Sequence, residues 1–129
     1  MTDPLSLERL LTFERAGRAF AIPAIRVHEI LPDRPLERVP LAPLAIAGIV
    51  VEHGRSLTVI ELDRVLRIET ATATPTHLVA LAPPFSHLAL RVHGELRLES
   101  REERSLTPEE IDVEELVQAL EAAIAVRMG

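Results

Sequence analysis

The chain has 129 residues, a formal net charge of −6 and 47% hydrophobic residues. A domain of this length buries enough apolar surface to fold without disulfides or metals. All 14 basic residues are arginine and 20 residues are acidic, a balance that disfavours binding to a nucleic-acid backbone or an anionic membrane. Trp, Tyr and Cys are absent, which excludes a base-stacking platform, thiol catalysis and a disulfide framework.

The sequence also carries no signal for a membrane or for export. Residues Met1 to Pro4 lack the basic region and the long apolar stretch of a signal peptide. No apolar run reaches the ~18 residues that a membrane span needs. We therefore expect a cytoplasmic protein with no membrane insertion.

Residues 11–22 predict a β-hairpin, because Gly17 supplies a turn between two apolar segments. Residues 25–31 fit either a short helical turn or a bent strand. Prolines at 32, 35, 40 and 43 then predict an irregular or edge segment. A second hairpin follows, with strands at 45–51 and 57–62 around a polar turn, and Asp63 is predicted to cap one helical turn.

The second half follows a polar connector at 70–76. Apolar runs at 77–82, 88–92 and 95–98 predict three more strands. Thr107, Pro108 and Glu110 form a helix-start signal, and apolar residues at helical spacing predict a helix over 108–126. The chain is therefore predicted to be mainly β with a C-terminal helix.

The residues that usually carry chemistry are scattered. The five histidines form no close pair, no serine lies in a nucleophile elbow, and the five glycines never cluster into a phosphate loop. His53 and His93 are interpreted as polar residues at strand ends. We expect no catalytic residues, no cofactor and no metal, and hence a protein that is not an enzyme.

The first half resembles the CheW-like domain of bacterial chemosensory systems over about residues 10–68. Five ordered pieces carry the resemblance: Phe13-x-x-x-Gly17-x-x-Phe20-Ala21-Ile22-Pro23, Val27-His28-Glu29-Ile30-Leu31, Val39-Pro40-x-Ala42-Pro43, Ala47-Gly48-Ile49-Val50 and Gly54-x-x-Leu57-Thr58-Val59-Ile60-Glu61-Leu62. The resemblance implies two small SH3-like β-barrels and a non-enzymatic adaptor. Its implied partners are the cytoplasmic tip of a chemoreceptor and the regulatory domain of a CheA-type histidine kinase.

The resemblance also implies which residues contact partners. By position these are Val27, Glu29, Ile30, Val39, Pro40, His53 and Gly54. Val27, Ile30 and Val39 fit a place in the hydrophobic core equally well. His53 stands where the family usually has arginine before the turn glycine.

The family pattern divides the chain into a first barrel at 10–68, a partial second barrel at 77–98 and the C-terminal helix at 108–126. Against the family pattern, we expect that a hairpin of the second barrel is either missing between Leu98 and Ile111 or replaced by the C-terminal helix. Because an incomplete barrel has an open edge, that edge must be covered by the helix, by a second copy in a homodimer, or by a partner.

The leading hypothesis is therefore a shortened CheW-like adaptor of a chemotaxis or motility pathway that binds a receptor, with kinase binding in question. The alternative is a small β-barrel module that binds a peptide or ligand and is unrelated to chemotaxis.

Overall fold

The computed structural model describes residues 9–69, 74–100 and 107–128, with side chains described through residue 124. Within these ranges the chain is mainly β with a C-terminal helix, as the sequence predicts. The elements are β1 (Arg9–Arg15), β2 (Arg18–Pro23), a 3₁₀ turn (Ala24–Arg26), β3 (Val27–Pro32), β4 (Ile46–Glu52), β5 (Arg55–Glu61), α1 (Leu62–Val65), β6 (Pro75–Leu81), β7 (Leu88–His93), β8 (Arg97–Ser100), β9 (Glu109–Glu110) and α2 (Val113–Met128).

The strands form two sheets, with the orders β8-β1-β2-β9 and β3-β6-β7-β5-β4. Both predicted hairpins, β1–β2 and β4–β5, are present as antiparallel pairs. Each sheet takes strands from both sides of the connector at 70–76, so the sheets do not coincide with the predicted units at 10–68 and 77–98. Within the described ranges neither sheet closes, and the prediction of two SH3-like barrels is not confirmed.

Successive residues on the central strands face two different hydrophobic clusters, because side chains alternate across a strand. On β5, Val59 packs in a smaller cluster and Ile60 in a larger one, and Leu78 and Val79 of β6 divide in the same way. The larger cluster joins both sheets to α2. Burial on both faces explains why the central strands are continuously apolar rather than alternating.

The C-terminal helix begins at Val113 and not at Pro108 as predicted. Residues 109–110 instead form β9 and pair in parallel with β2. The Oδ1 atom of Asp112 accepts a hydrogen bond of 3.0 Å from the N–H of Glu115, the contact that an N-cap makes. Pairing with β2 therefore overrides the helix-start signal that precedes it.

Two further local features bear on the sequence predictions, namely the conformation of residues 25–31 and the capping of helix α1. Residues 25–26 belong to the 3₁₀ turn, and residues 27–31 belong to the strand β3, which has an irregular register between Val27 and Glu29. Both alternatives for residues 25–31 are thus present, one after the other. Helix α1 begins at Leu62, and no side chain among the described residues caps it. Asp63 is only 1% exposed and accepts hydrogen bonds from Arg15 instead.

Candidate functional site

Three of the predicted partner residues lie on β3, at one edge of the five-stranded sheet. Val27 is half-buried and packs against the larger hydrophobic cluster. Glu29 is half-buried, and Ile30 is exposed. Because Val27 contributes to the core, Ile30 is the one of the three that presents open apolar surface.

Charged contacts join the segment after β3 to the tip of the β4–β5 hairpin. Arg34 Nη2 lies 2.7 Å from Glu52 Oε2 and donates a hydrogen bond to the carbonyl oxygen of Val51. Glu52 Oε1 lies 3.1 Å from His53 Nε2. The His53 side chain is 75% exposed. The imidazole ring therefore contacts Glu52 and is still accessible to solvent or to a partner.

His53 and Gly54 form the tight turn of this hairpin. Their φ angles are +50° and +75°, the left-handed conformation that a two-residue hairpin turn requires. In the described part of the chain, no atom lies within 4 Å of the position that a Cβ at Gly54 would occupy. Glycine at this position therefore serves the backbone conformation and not a close approach.

The proline-containing segment covers the edge of β4 that faces away from β5. Glu37 and Ile49 exchange backbone hydrogen bonds of 2.8 and 2.7 Å. A Cβ at Gly48 would lie 2.6 Å from the carbonyl oxygen of Glu37, so a larger residue would push the segment away. The segment is thus held against β4 by main-chain contacts that depend on Gly48.

Val39 and Pro40 lie further along this segment and are exposed. Val39 lines a cavity of about 340 Å³ between residues 38–47 and the charged side chains of Glu61, Arg64 and Arg91. The structure therefore joins the end of β3 to the hairpin turn through Arg34, whereas Val39 belongs to the cavity.

A chain of ionisable side chains, each buried or half-buried, connects the two sheets. Arg91 binds Asp33 through Nε at 2.9 Å and Nη2 at 3.1 Å, and its Nη1 lies 3.7 Å from Glu61 Oε2. Arg15 of β1 binds Asp63 through Nε at 3.1 Å and Nη2 at 2.6 Å. In order of contact, the members of this buried charge network are Asp33, Arg91, Glu61, His93, Asp63 and Arg15.

His93 lies at the centre of the buried charge network and is 3% exposed. Its Nδ1 lies 3.5 Å from Glu61 Oε1 and 3.4 Å from Asp63 Oδ2. Burial lowers the pKa of His93 and raises the pKa of Glu61, because a low-dielectric interior disfavours both charged forms. Among the described residues, His93 Nδ1 and Glu61 Oε1 are buried without a hydrogen-bond partner.

The sequence contains only a weak signal for this network. Two triplets, Glu-Leu-Asp at 61–63 and Arg-Val-His at 91–93, each place two ionisable residues around one apolar residue. The interpretation of His93 as a polar residue at a strand end missed its burial. The network was not predictable from these triplets, because the partner Arg15 comes from a strand of the other sheet.

Within the described ranges, no group of three or more His, Asp or Glu side chains is placed to hold a metal ion. No helix in those ranges is long and apolar enough to cross a membrane.

The family comparison accounts for almost the full length of the chain. The CheW-like domain matches residues 9–128. The chain belongs to the CheW-like domain family. The family prediction made from motifs at 10–68 is thus confirmed, and the CheW-like match extends through β6 to α2.

This CheW-like chain is similar in structure to the scaffolding protein TtCheW from Thermoanaerobacter tengcongensis. The TM-score is 0.65 at 19% sequence identity, and the similarity covers 72% of this chain and 61% of that one. The matched part thus spans less than two thirds of TtCheW, and at this identity the likeness establishes the CheW-like fold alone. No curated protein matches the chain.

Proposed function

We propose that this CheW-like chain is a non-enzymatic adaptor in a chemotaxis or motility pathway. It acts in the cytoplasm and binds the cytoplasmic tip of a chemoreceptor. The family match over residues 9–128 carries the proposal. The shared fold with a scaffolding protein supports it. The receptor contacts assigned here are Val27, Glu29, Ile30, Val39, Pro40, His53 and Gly54.

The chemistry around the hairpin turn supports a protein partner at this surface. Val51 is exposed and apolar, and its carbonyl oxygen accepts a hydrogen bond from the charged Arg34. Arg34 follows β3, the strand that contains the exposed Ile30. Glu52 and His53 add polar groups at the same turn. Apolar side chains bordered by charged ones are typical of protein–protein contacts.

We also propose that the chain has two SH3-like units, as the family does. The smaller hydrophobic cluster, which contains residues from all five strands of the five-stranded sheet, supports one unit. The packing of α2 in the same cluster as β1 and β2 supports a second unit that the helix covers. Because the stretch between Leu98 and Ile111 is short for the family, we propose that the kinase regulatory domain binds more weakly than the receptor tip.

A binding assay against a purified receptor tip and a purified kinase regulatory domain tests this function. We expect receptor binding that His53→Asp and Ile30→Asp both weaken. Leu98→Asp is the matched control, because Leu98 is also an exposed apolar residue on an edge strand, but of the four-stranded sheet. Binding to neither partner would refute the adaptor role, and tight kinase binding would refute the receptor preference.

Self-association through α2 or an open sheet edge stays a prediction. Light scattering of the purified protein distinguishes a monomer from a homodimer.

A further inference from the structure

The cavity beside Val39 is lined by both apolar and positively charged residues. Val39, Pro43 and Leu44 are among the apolar ones, and the positively charged ones are Arg38, Arg64 and Arg91. Its volume of about 340 Å³ is at the lower end of the range for sites that hold a small ligand or an inserted side chain.

The positive charge of this cavity is only partly neutralised. Among the described residues that line it, Arg38, Arg64 and Arg91 are positively charged and Glu61 alone has a carboxylate. Asp33, which lies outside the lining, accepts two hydrogen bonds from Arg91. Even with Asp33 included, three guanidinium groups outnumber two carboxylates in the described part of this region.

Arg38 and Arg64 are exposed, and neither makes an ion pair within 4 Å in the described part of the chain. The full chain has a net charge of −6, so the cavity is opposite in sign to the molecule around it. A site of this sign attracts an anionic group, and guanidinium groups bind carboxylates with two parallel hydrogen bonds.

Two of the apolar residues that line the cavity are open to solvent. Leu44 is 75% exposed and Val39 is 38% exposed. A small free anion would contact the arginines and leave these two side chains uncovered. An acidic residue within an apolar protein segment would contact both the arginines and the apolar side chains.

We propose that this cavity binds a carboxylate side chain of a partner segment whose neighbouring residues are apolar, with Arg38 and Arg64 as the pair that binds the carboxylate. The apolar neighbours of that carboxylate pack on Val39 and Leu44, the exposed apolar residues that line the cavity. This inference deepens the proposed function, on which it rests for the identity of the partner, because Val39 belongs both to the assigned receptor contacts and to the cavity.

The first experiment tests the chemistry of the cavity without any receptor. A capped pentapeptide with one glutamate between two pairs of leucines is titrated into the isotopically labelled protein, followed by NMR. We expect shifts of the backbone amides of the non-proline residues within 38–47 in the wild-type protein and none in Arg38→Gln/Arg64→Gln. The same peptide with glutamine in place of glutamate should also cause none. Equal shifts with both peptides, equal shifts in the double variant, or no shifts at all would overturn the proposal.

The second experiment tests the partner, using the receptor tip at low and high salt. We expect Arg38→Gln/Arg64→Gln to bind about tenfold more weakly at low salt and with less salt dependence than wild type. Arg97→Gln is the matched control, because Arg97 is an exposed arginine of the four-stranded sheet. Unchanged affinity of the double variant would refute the receptor as the source of the carboxylate. If the wild-type protein binds the glutamate peptide but does not bind the receptor tip, the cavity chemistry is supported and the proposed receptor function is refuted.

Discussion

Two arginine–carboxylate pairs in this protein share almost the same geometry and differ in burial. Arg15 binds Asp63 at 2.6 Å, with side-chain exposures of 15% and 1%. Arg18 binds Glu109 at 2.8 Å, with exposures of 49% and 55%. Water competes for the second pair and has almost no access to the first. Contact geometry alone therefore does not fix how much an ion pair contributes to stability. Desolvation determines how much free energy of unfolding is lost when one partner is removed.

Exposed and buried pairs also differ in whether other contacts join the elements that the ion pair links. Arg18–Glu109 joins β2 to β9, strands that already pair through their main chains. Arg26–Glu114 joins the 3₁₀ turn to α2, whose apolar face packs in the larger cluster. Arg15–Asp63 is instead part of a polar connection through the interior between the sheets. We therefore expect removal of the buried pair to matter and removal of an exposed pair to matter little.

The largest effect is expected from Asp63→Ala. The change leaves the Arg15 guanidinium largely buried without its carboxylate, so the free energy of unfolding should fall by about 3 kcal/mol. Urea unfolding followed by circular dichroism measures it. In the double variant Arg15→Met/Asp63→Leu no buried charge is left unpaired at this site, so it should be more stable than Asp63→Ala. If Asp63→Ala lowers the free energy of unfolding by less than about 1 kcal/mol, the Arg15–Asp63 pair contributes no more than an exposed ion pair does, and the expectation is wrong.

The pH dependence of stability is the next expected effect. Burial lowers the pKa of His93 below its ordinary value of 6.5, so below that pH the unfolded chain takes up a proton that the folded chain does not. Stability is therefore lost as the pH falls below 6.5. Burial raises the pKa of Glu61 above 4.5, so on further acidification the folded state takes up a proton first, which partly offsets the loss.

Urea unfolding at several pH values checks this dependence. The free energy of unfolding of His93→Asn should vary less between about pH 7 and about pH 5 than that of wild type. His87→Asn removes an exposed histidine and should keep the wild-type slope. Parallel curves for wild type and His93→Asn would contradict the buried, uncharged state of His93.

A smaller effect is expected from Asp112→Ala, which tests an exposed carboxylate with a main-chain partner. Asp112 accepts the hydrogen bond from the Glu115 N–H, so its loss should lower the free energy of unfolding by about 1 kcal/mol. Thr107→Ala removes the cap that the sequence predicts and should have a smaller effect. The reverse order, measured by thermal unfolding, would mean that the helix starts where the sequence predicts.

The smallest effect is expected from Glu109→Gln. Both partners of the Arg18–Glu109 pair are exposed, so water and salt replace the interaction. The thermal midpoint at physiological salt should not change measurably. A clear drop would show that this exposed pair, like Arg15–Asp63, holds the fold.

The parts of the fold that the sequence predicted are those in which neighbours in the chain are also neighbours in space. The hairpin around Gly17 and the hairpin around Gly54 need only a turn residue between two apolar segments, and both are present. The helix start was wrong because β9 pairs with a strand about ninety residues earlier, a contact that no local signal contains. The buried charge network around His93 was not predicted for the same reason, because its contacts join residues that are distant in sequence. Its members come from β1, β5, α1, β7 and the end of β3.

For the candidate site, the sequence alone determined the family, through ordered motifs, and the positions at which partners are expected. It also determined that the chain alternates short apolar strands with turns, since glycine, proline and the apolar spacing act locally. Only the tertiary structure decided that Val27 supports the core while Ile30 is exposed, and that Arg34 joins the end of β3 to the hairpin turn. It also decided that three arginines distant in sequence line one cavity. The physical reason is that burial and the local dielectric depend on strands brought together from distant parts of the chain.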